Sequence, residues 1–350
     1  MTPKIHTTHF ELPEYSEDVD AVIKYAEKWT GNLDQRTRDK ILRLFRNANV
    51  NRRYSIMSID EVFSPMTFEE RNNIYSERVT NLAEKALSNA LKKANVKPEE
   101  VDVIITTSCT GIMIPSVDAL LVNRLKMKQS IVRLPVTEMG CAGGTSALIY
   151  ANQFAKASPD SVIAIVAVES PTSTFLMSDT SFTNAVSAAI FGDGCAVAII
   201  KPTDEIRPEI LDTQMYHFFD QPRLMGFDLK NEGLQIVLDP EVPVHIEKEF
   251  GNILFPFLEK NKLEIKDIEH FVFHPGGKKI VQVVEDLFSQ HGKNIQATKD
   301  VLRDYGNMSS ATVIYVLDTY MNKNIPAGEY GLMLSFGPGF TSQTILLQWN

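Results

Sequence analysis

Cysteine is scarce in this sequence, at three residues in 350, and the three lie far apart at Cys109, Cys141 and Cys195. No CxxC pair and no disulfide framework can be drawn from them. Each is expected to be a free thiol in a reducing compartment, either a small core residue or a nucleophile. Long apolar runs are missing as well. The run 162–168 is among the most apolar and is far too short to cross a bilayer, so no membrane insertion is expected. Positive charge is in deficit, with 35 Lys plus Arg against 44 Asp plus Glu and a formal net charge of −9. That balance excludes a general nucleic-acid binder, which needs a basic surface to release counterions. It leaves room for a local basic patch that holds a small anion. His6, His9, His217, His245, His270 and His291 show no metal-ligand spacing and no HExxH occurs, so no metal site is expected. No GxGxxG follows a strand, which removes support for a nicotinamide cofactor. The opening stretch MTPKIHTTHFELPEY has no apolar core behind a basic start, so no secretory leader is expected and the cytoplasm is the expected compartment.

What is present describes a folded protein: 44% of residues are hydrophobic and 23% charged. At roughly 100–200 residues per domain, the length suggests two domains or two halves of one. Residues 15–60 read as helical and polar and end at the basic cluster Arg43, Arg46, Arg52 and Arg53. Val79, Leu82, Ala83, Ala86 and Leu87 at helical spacing predict a helix over 75–94, and Pro98 stops it. The β-branched run 101–107 predicts a buried strand, and 117–125 a further helix. Apolar runs at 162–168, 195–200, 271–273 and 344–347 alternate with helical stretches, which indicates an α/β architecture.

The sequence also echoes itself. The segment 96–104, an acidic loop leading into a strand, has the pattern of 263–271. Gly140-Cys141 opens the stretch AGGTSALIY, and Gly306-Asn307 opens MSSATVIY at nearly the same offset. Gly192-Asp193-Gly194 and Gly337-Pro338-Gly339 each precede an apolar strand, at a shorter offset. Three features recurring in one order predict two copies of an α/β unit related by an approximate dyad, with halves 1–205 and 206–350.

Such a dyad has a chemical consequence. The carboxyl ends of strands and adjacent helix starts face the ligand crevice in open α/β sheets. Cys141 and Asn307 would then sit at equivalent helix starts, and His274 at a strand end. A cysteine at a helix start gains from unpaired N–H groups and the positive end of the dipole, and a nearby imidazole favours its thiolate further. Gly143 and Gly144 serve either close approach of a substrate to the backbone or tight helix packing. Cys109 follows a strand directly and is assigned to the pocket wall, Cys195 to the core.

These residues resemble the type III polyketide synthases, the chalcone-synthase-like branch of the thiolase fold. The resemblance runs from about Arg43 to Trp349. It is carried by Gly140-Cys141-Ala142-Gly143-Gly144, His274-Pro275-Gly276-Gly277, Tyr305-Gly306-Asn307-Met308-Ser309-Ser310-Ala311, Phe191-Gly192-Asp193-Gly194 and Phe336-Gly337-Pro338-Gly339. It implies a thiolase-like duplicated αβαβα five-layer fold. It also implies Cys141 as the acyl-carrying nucleophile, with His274 and Asn307 assisting decarboxylation and holding the thioester oxygen. Members work as homodimers on coenzyme A thioesters, acyl-CoA and malonyl-CoA, with no bound cofactor. Cys109, Thr174, Phe191, Ile236 and Ser309 match cavity positions, and Ile114 falls on the loop that reaches the partner subunit's cavity in relatives. The four arginines are the candidates for coenzyme A phosphates, with a solvated helix face as the equally open reading. Ser108-Cys109-Thr110-Gly111 looks bacterial, close to synthases of alkylpyrones, alkylresorcinols or phloroglucinol. Ile236 stands where plant members place a phenylalanine, which favours an aliphatic or small malonyl-derived starter over an aromatic one. Two other readings share the fold: a ketoacyl synthase that condenses once on acyl carrier protein, and an inert scaffold.

Overall fold

The computed structural model describes residues 1–350. Two sheets carry it. The first has five strands in the order Thr2–Glu11, Gly194–Thr203, Ile163–Glu169, Val103–Ser108, Val132–Thr137. The second has four, in the order Pro208–His217, Thr341–Trp349, Tyr330–Gly337, Ile268–Phe273. Read in that direction the sheets repeat one another. In each, the first pair and the second pair are antiparallel and the third is parallel. The first sheet adds one parallel edge strand.

Period-two alternation sorts the strand residues into three cores. Ile104, Val166 and Val197 face outward onto the helix Phe68–Lys93, where Val79, Ala83 and Leu87 are buried against them. Val103, Ile105 and Ile165 face inward onto the helices Gly143–Ala157 and Thr312–Met321, which Met333 and Ile345 of the second sheet cover from the other side. Phe271, Phe273 and Leu334 point away from that centre onto the helices Val242–Lys260 and Lys278–Ser289. Helix, sheet, helix pair, sheet, helix: this is the five-layer, duplicated thiolase-like fold. Helices Val19–Trp29 and Gln35–Asn47 of the first half pack into that third core, so the two halves share it.

Local readings shift in ways with physical causes. The helix expected over 75–94 starts earlier, at Phe68, because Thr67 and Glu70 form a reciprocal capping box. The stretch 15–60 is only partly helical, since Tyr15–Asp18 and Arg52–Ser55 pair as a two-stranded ribbon. A second ribbon, Met225–Lys230 with Gly233–Leu238, has no sequence-based precursor. The shorter offset of the third echo also has an explanation. The first half inserts residues 170–193 between its two strands, whereas the second turns directly through Pro338-Gly339-Phe340. No helix is long and apolar enough to cross a membrane.

Candidate active site

The central helix Gly143–Ala157 is preceded by a 3-10 turn, Gly140–Ala142, and its counterpart Thr312–Met321 by the turn Ser309–Ala311. The element that matches Cys141 in the second half is therefore Ser310, not Asn307. Asn307 lies three residues upstream, bridged to Phe191: its N–H donates to the Ile190 carbonyl at 2.8 Å and its carbonyl accepts from Gly192 N–H at 3.0 Å. The two still meet, as expected. Cys141 Sγ stands 3.9 Å from Asn307 Nδ2 and 4.0 Å from its Oδ1. The carboxamide is oriented by its surroundings, with Oδ1 accepting from Ser309 N–H at 2.9 Å and Nδ2 donating to the Gly276 carbonyl at 3.1 Å. One N–H of the amide is left facing the sulfur.

His274 ends the strand Ile268–Phe273 and its backbone N–H donates to the Leu334 carbonyl at 2.9 Å. The ring is buried and neither nitrogen has a hydrogen-bond partner. Orphaned buried polar atoms of this kind are rare in folded proteins. His274 lines a cavity of about 740 Å³, part of it open to solvent, together with Cys141 and Asn307. Cys109, Thr174, Phe191, Ile236 and Ser309 line the same cavity, as the resemblance implies.

The electrostatics differ from the expected resting thiolate. Burial pushes the Cys141 thiol up to about 12, against smaller opposite effects from Ser309 and Asn307. Burial likewise pushes His274 down to about 3. Each group taken alone is neutral at physiological pH. Removal of water here outweighs the helix start, because the dipole contributes only about 0.3–2 kcal/mol.

The glycines resolve the other open alternative. A methyl on Gly144 would overlap the Ser310 carbonyl oxygen, and one on Gly143 would stand 3.0 Å from Ser310 Cβ. They let the two central turns touch, which is packing and not substrate approach. Gly140 alone needs its backbone freedom, at φ +50°, where an added Cβ would meet Pro338.

Three further groups of residues lie outside this cavity. Ile114 is 96% exposed and lies outside its own chain's cavity. Cys195 is core, as expected. The arginine cluster splits. Arg43, Arg46 and Arg52 are exposed, but Arg53 is buried and its Nη2 donates to the Ala189 carbonyl at 2.6 Å. Alternation along Arg52–Ser55 turns neighbours to opposite sides, so Arg53 is not a surface cation for phosphate.

Glu169 was not foreseen. It is buried behind the site, accepting from Ser310 Oγ at 2.6 Å, Thr110 Oγ1 at 2.9 Å and Cys109 N–H at 3.0 Å, while Cys109 Sγ lies 3.7 Å away. Its signal was a lone acid at the carboxyl end of the wholly apolar strand Ile163–Glu169. The ribbon residues Met225, Phe227 and Leu238, which roof the cavity, carried no comparable mark.

A thiol, a partnerless imidazole and a carboxamide converging across two thiolase-like halves put the chain in the class of thiolase-fold acyltransferases. Residues 12–204 match the family model for the N-terminal domain of chalcone and stilbene synthases, and residues 214–349 that for the C-terminal domain. The chain belongs to that family, the type III polyketide synthases, which are decarboxylating, condensing acyltransferases. It is similar to a putative chalcone synthase of Bacillus subtilis (29% identity, 97% of this chain and 96% of the relative). It is also similar to a 1,3,6,8-tetrahydroxynaphthalene synthase of Streptomyces peucetius (31% identity, 88% and 83%). The solved 1,3,6,8-tetrahydroxynaphthalene synthase of Streptomyces coelicolor superposes with a TM-score of 0.93 at 25% identity, covering 100% of this chain and 99% of that one.

Proposed function

We propose that the half 1–205 supplies the nucleophile, Cys141, and the half 206–350 supplies His274 and Asn307 for repeated decarboxylative condensation of malonyl-CoA onto an acyl-CoA starter. The observation that supports this most is the 3.9 Å approach of Asn307 Nδ2 to Cys141 Sγ beside an imidazole with both nitrogens free. In the loading step the Sγ proton passes to a His274 nitrogen, sulfur bonds to the starter carbonyl, and the carbon–sulfur bond to coenzyme A breaks. The leaving thiolate takes the proton. Neither charge is stable alone in this dry site, but made together they offset one another. Malonyl-CoA then loses carbon dioxide, and negative charge develops on its thioester oxygen. A His274 N–H and the free Asn307 N–H are the donors for that enolate. No general base is needed, since decarboxylation itself leaves the carbanion. Its carbon attacks the Cys141 thioester carbonyl, the carbon–sulfur bond to Cys141 breaks, and the Sγ thiolate is freed. The lengthened chain, now a coenzyme A thioester, is passed back to Sγ with release of coenzyme A for each further round, until the last one cyclises to a pyrone, resorcinol or phloroglucinol-type product.

Coenzyme A thioesters act as substrates on this reading, with no bound cofactor. Arg43, Arg46 and Arg52 are offered for the phosphates, because they are exposed cations and helix Gln35–Asn47 packs against Phe182–Ile190, which leads to Phe191 at the cavity. A homodimer is supported by the exposed apolar residues Ile112 and Ile114 of the loop after Val103–Ser108 and by the exposed Val132 of the sheet-edge strand. Ile114→Asp should shift the species seen by light scattering towards monomer.

The test is incubation with malonyl-CoA and a panel of acyl-CoA starters, with products read by mass spectrometry. Cyclised products two or more condensations longer than the starter are expected. A product one condensation longer and uncyclised would overturn the reading.

A further inference from the structure

A second cavity of about 610 Å³, part of it open to solvent, lies against the first, and no step above uses it. The two share only Pro171, Ser187 and Phe191. Its lining is sorted by element. One wall is the ribbon of Tyr15–Asp18 and Arg52–Ser55, in which Tyr15 stands opposite Ser55 and Glu17 opposite Arg53. Period-two alternation puts those four side chains on one face, and all four line the cavity. The remaining walls are mainly apolar, with Val22, Met57, Ile59, Val62, Phe63 and Phe175. The rings of Phe63 and Phe175 stand 5.1 Å apart there.

Arg53 is the anomaly of the ribbon wall. Only 7% of the residue is exposed, and its one side-chain hydrogen bond runs from Nη2 to the Ala189 carbonyl. Nε and Nη1 have no partner, so Glu17 does not pair with them across the ribbon. Burial lowers the guanidinium only to about 10, which leaves it charged at neutral pH. A buried cation without a counter-ion is costly, and an arginine fork is shaped to take both oxygens of a carboxylate. Half-buried Glu17, on the same face, carries the opposite charge and suits a cation held beside that carboxylate.

We propose that this cavity binds a free α-amino acid with an apolar side chain. Its carboxylate sits on Arg53, its ammonium on Glu17 and its side chain among Val62, Phe63 and Phe175. Directly opposed strand residues hold their Cβ atoms about 4.5–5.5 Å apart, a spacing that two charges on one carbon can bridge. A plain acid would set a like charge beside Glu17, and a plain amine would leave Arg53 without an anion. Binding here needs neither Cys141 nor a thioester, so it stands apart from the proposed function.

The test is isothermal titration calorimetry of the whole chain with L-leucine and L-phenylalanine, and with the deamino acid and the decarboxylated amine of each. At least one amino acid should bind, and its two one-charge analogues about tenfold or more weakly, the usual worth of a hydrogen bond to a charged group. Glu17→Gln should weaken the amino acid by about tenfold and should not weaken the deamino acid. Arg53→Gln should weaken both. Ala188 lines the second cavity and not the first, so Ala188→Phe should abolish binding. Should Arg53→Gln fail to fold, as read by circular dichroism, the Glu17 and Ala188 variants decide. No heat from either amino acid, a deamino acid that binds as tightly as its parent, or binding untouched by Ala188→Phe would overturn the site.

Discussion

The two halves build the same turn and spend it differently. In the first, Gly140–Ala142 presents Cys141 to an open cavity. In the second, Ser309–Ala311 presents Ser310 to Glu169 and Thr107, with hydrogen bonds of 2.6 and 2.8 Å, and leaves it fully buried. Duplication supplies two equivalent positions for a nucleophile. What lies over each decides which one is reactive. A fully buried hydroxyl that donates to a carboxylate and accepts from a second hydroxyl has no access to a substrate.

The largest expected effect follows directly. Cys141→Ala should abolish acyl loading, measured by intact mass after exposure to an acyl-CoA, with the far-ultraviolet spectrum unchanged. Adding Ser310→Cys to that variant should restore nothing. Acylation of the thiol introduced there would break the comparison, because it would show that the equivalent turn suffices without the cavity.

Next in size is the imidazole. His274→Ala should lower malonyl-CoA decarboxylation by roughly 10²–10³-fold, the usual cost of removing one enolate donor. The same variant separates burial from pairing. Burial is the main cause that holds the Cys141 thiol near 12, and His274 is not among the others, so alkylation by iodoacetamide should require alkaline solution once the ring is gone. Wild type should react at lower pH, because the proton has an acceptor. Identical pH profiles would mean that His274 has no hand in the charge of the sulfur.

The contact between the halves gives a smaller, structural test. Gly144 is matched in the second half by Val313, whose Cγ1 would stand 3.0 Å from a Cβ added at Gly144. Gly144→Ala should destabilise by about 1–3 kcal/mol, read as a lower urea midpoint. Val313→Ala should not rescue it, since the main obstacle is the immovable Ser310 carbonyl. Full rescue would show that side chains alone set this spacing.

Much of this architecture was legible because duplication repeats its punctuation: an acidic loop before a strand, glycine before a central helix. Cys141, His274 and Asn307 were legible because strand ends and helix starts converge in such sheets. The pairing of Cys141 with Asn307 as equivalents was off by three residues, because an extended bridge to Phe191 precedes the second turn. The resting charge was not legible, since it depends on how much water the fold removes. The roof ribbon was hidden because its turn, Asn231-Glu232-Gly233, carries no distinctive signal and its strands, half-buried on both faces, do not alternate cleanly. Arg53 was misplaced because a four-residue strand inside a region read as helix reverses neighbouring side chains.

The halves also differ in how acid acts on them. His274 ordinarily titrates near 6.5 and is held down to about 3 by burial. Below pH 6.5 the unfolded chain therefore takes up a proton that the folded one refuses, and stability falls by up to about 1.4 kcal/mol per pH unit. Asp193 in the first half behaves oppositely. Burial raises it from 3.8 to about 6, although Ile56 N–H, Ser170 Oγ and Thr172 N–H all donate to it. Its contribution is present below pH 3.8 and lost as pH rises through 6. Between those values the two slopes oppose, and wild type should show little net dependence from this pair. His274→Gln removes one of them. The variant should gain on wild type as pH drops from about 6.5 towards 4, measured by urea unfolding at several pH values. A stability difference that stays constant across that range would mean the folded imidazole protonates as freely as the unfolded one, and that the site is wetter than its geometry implies.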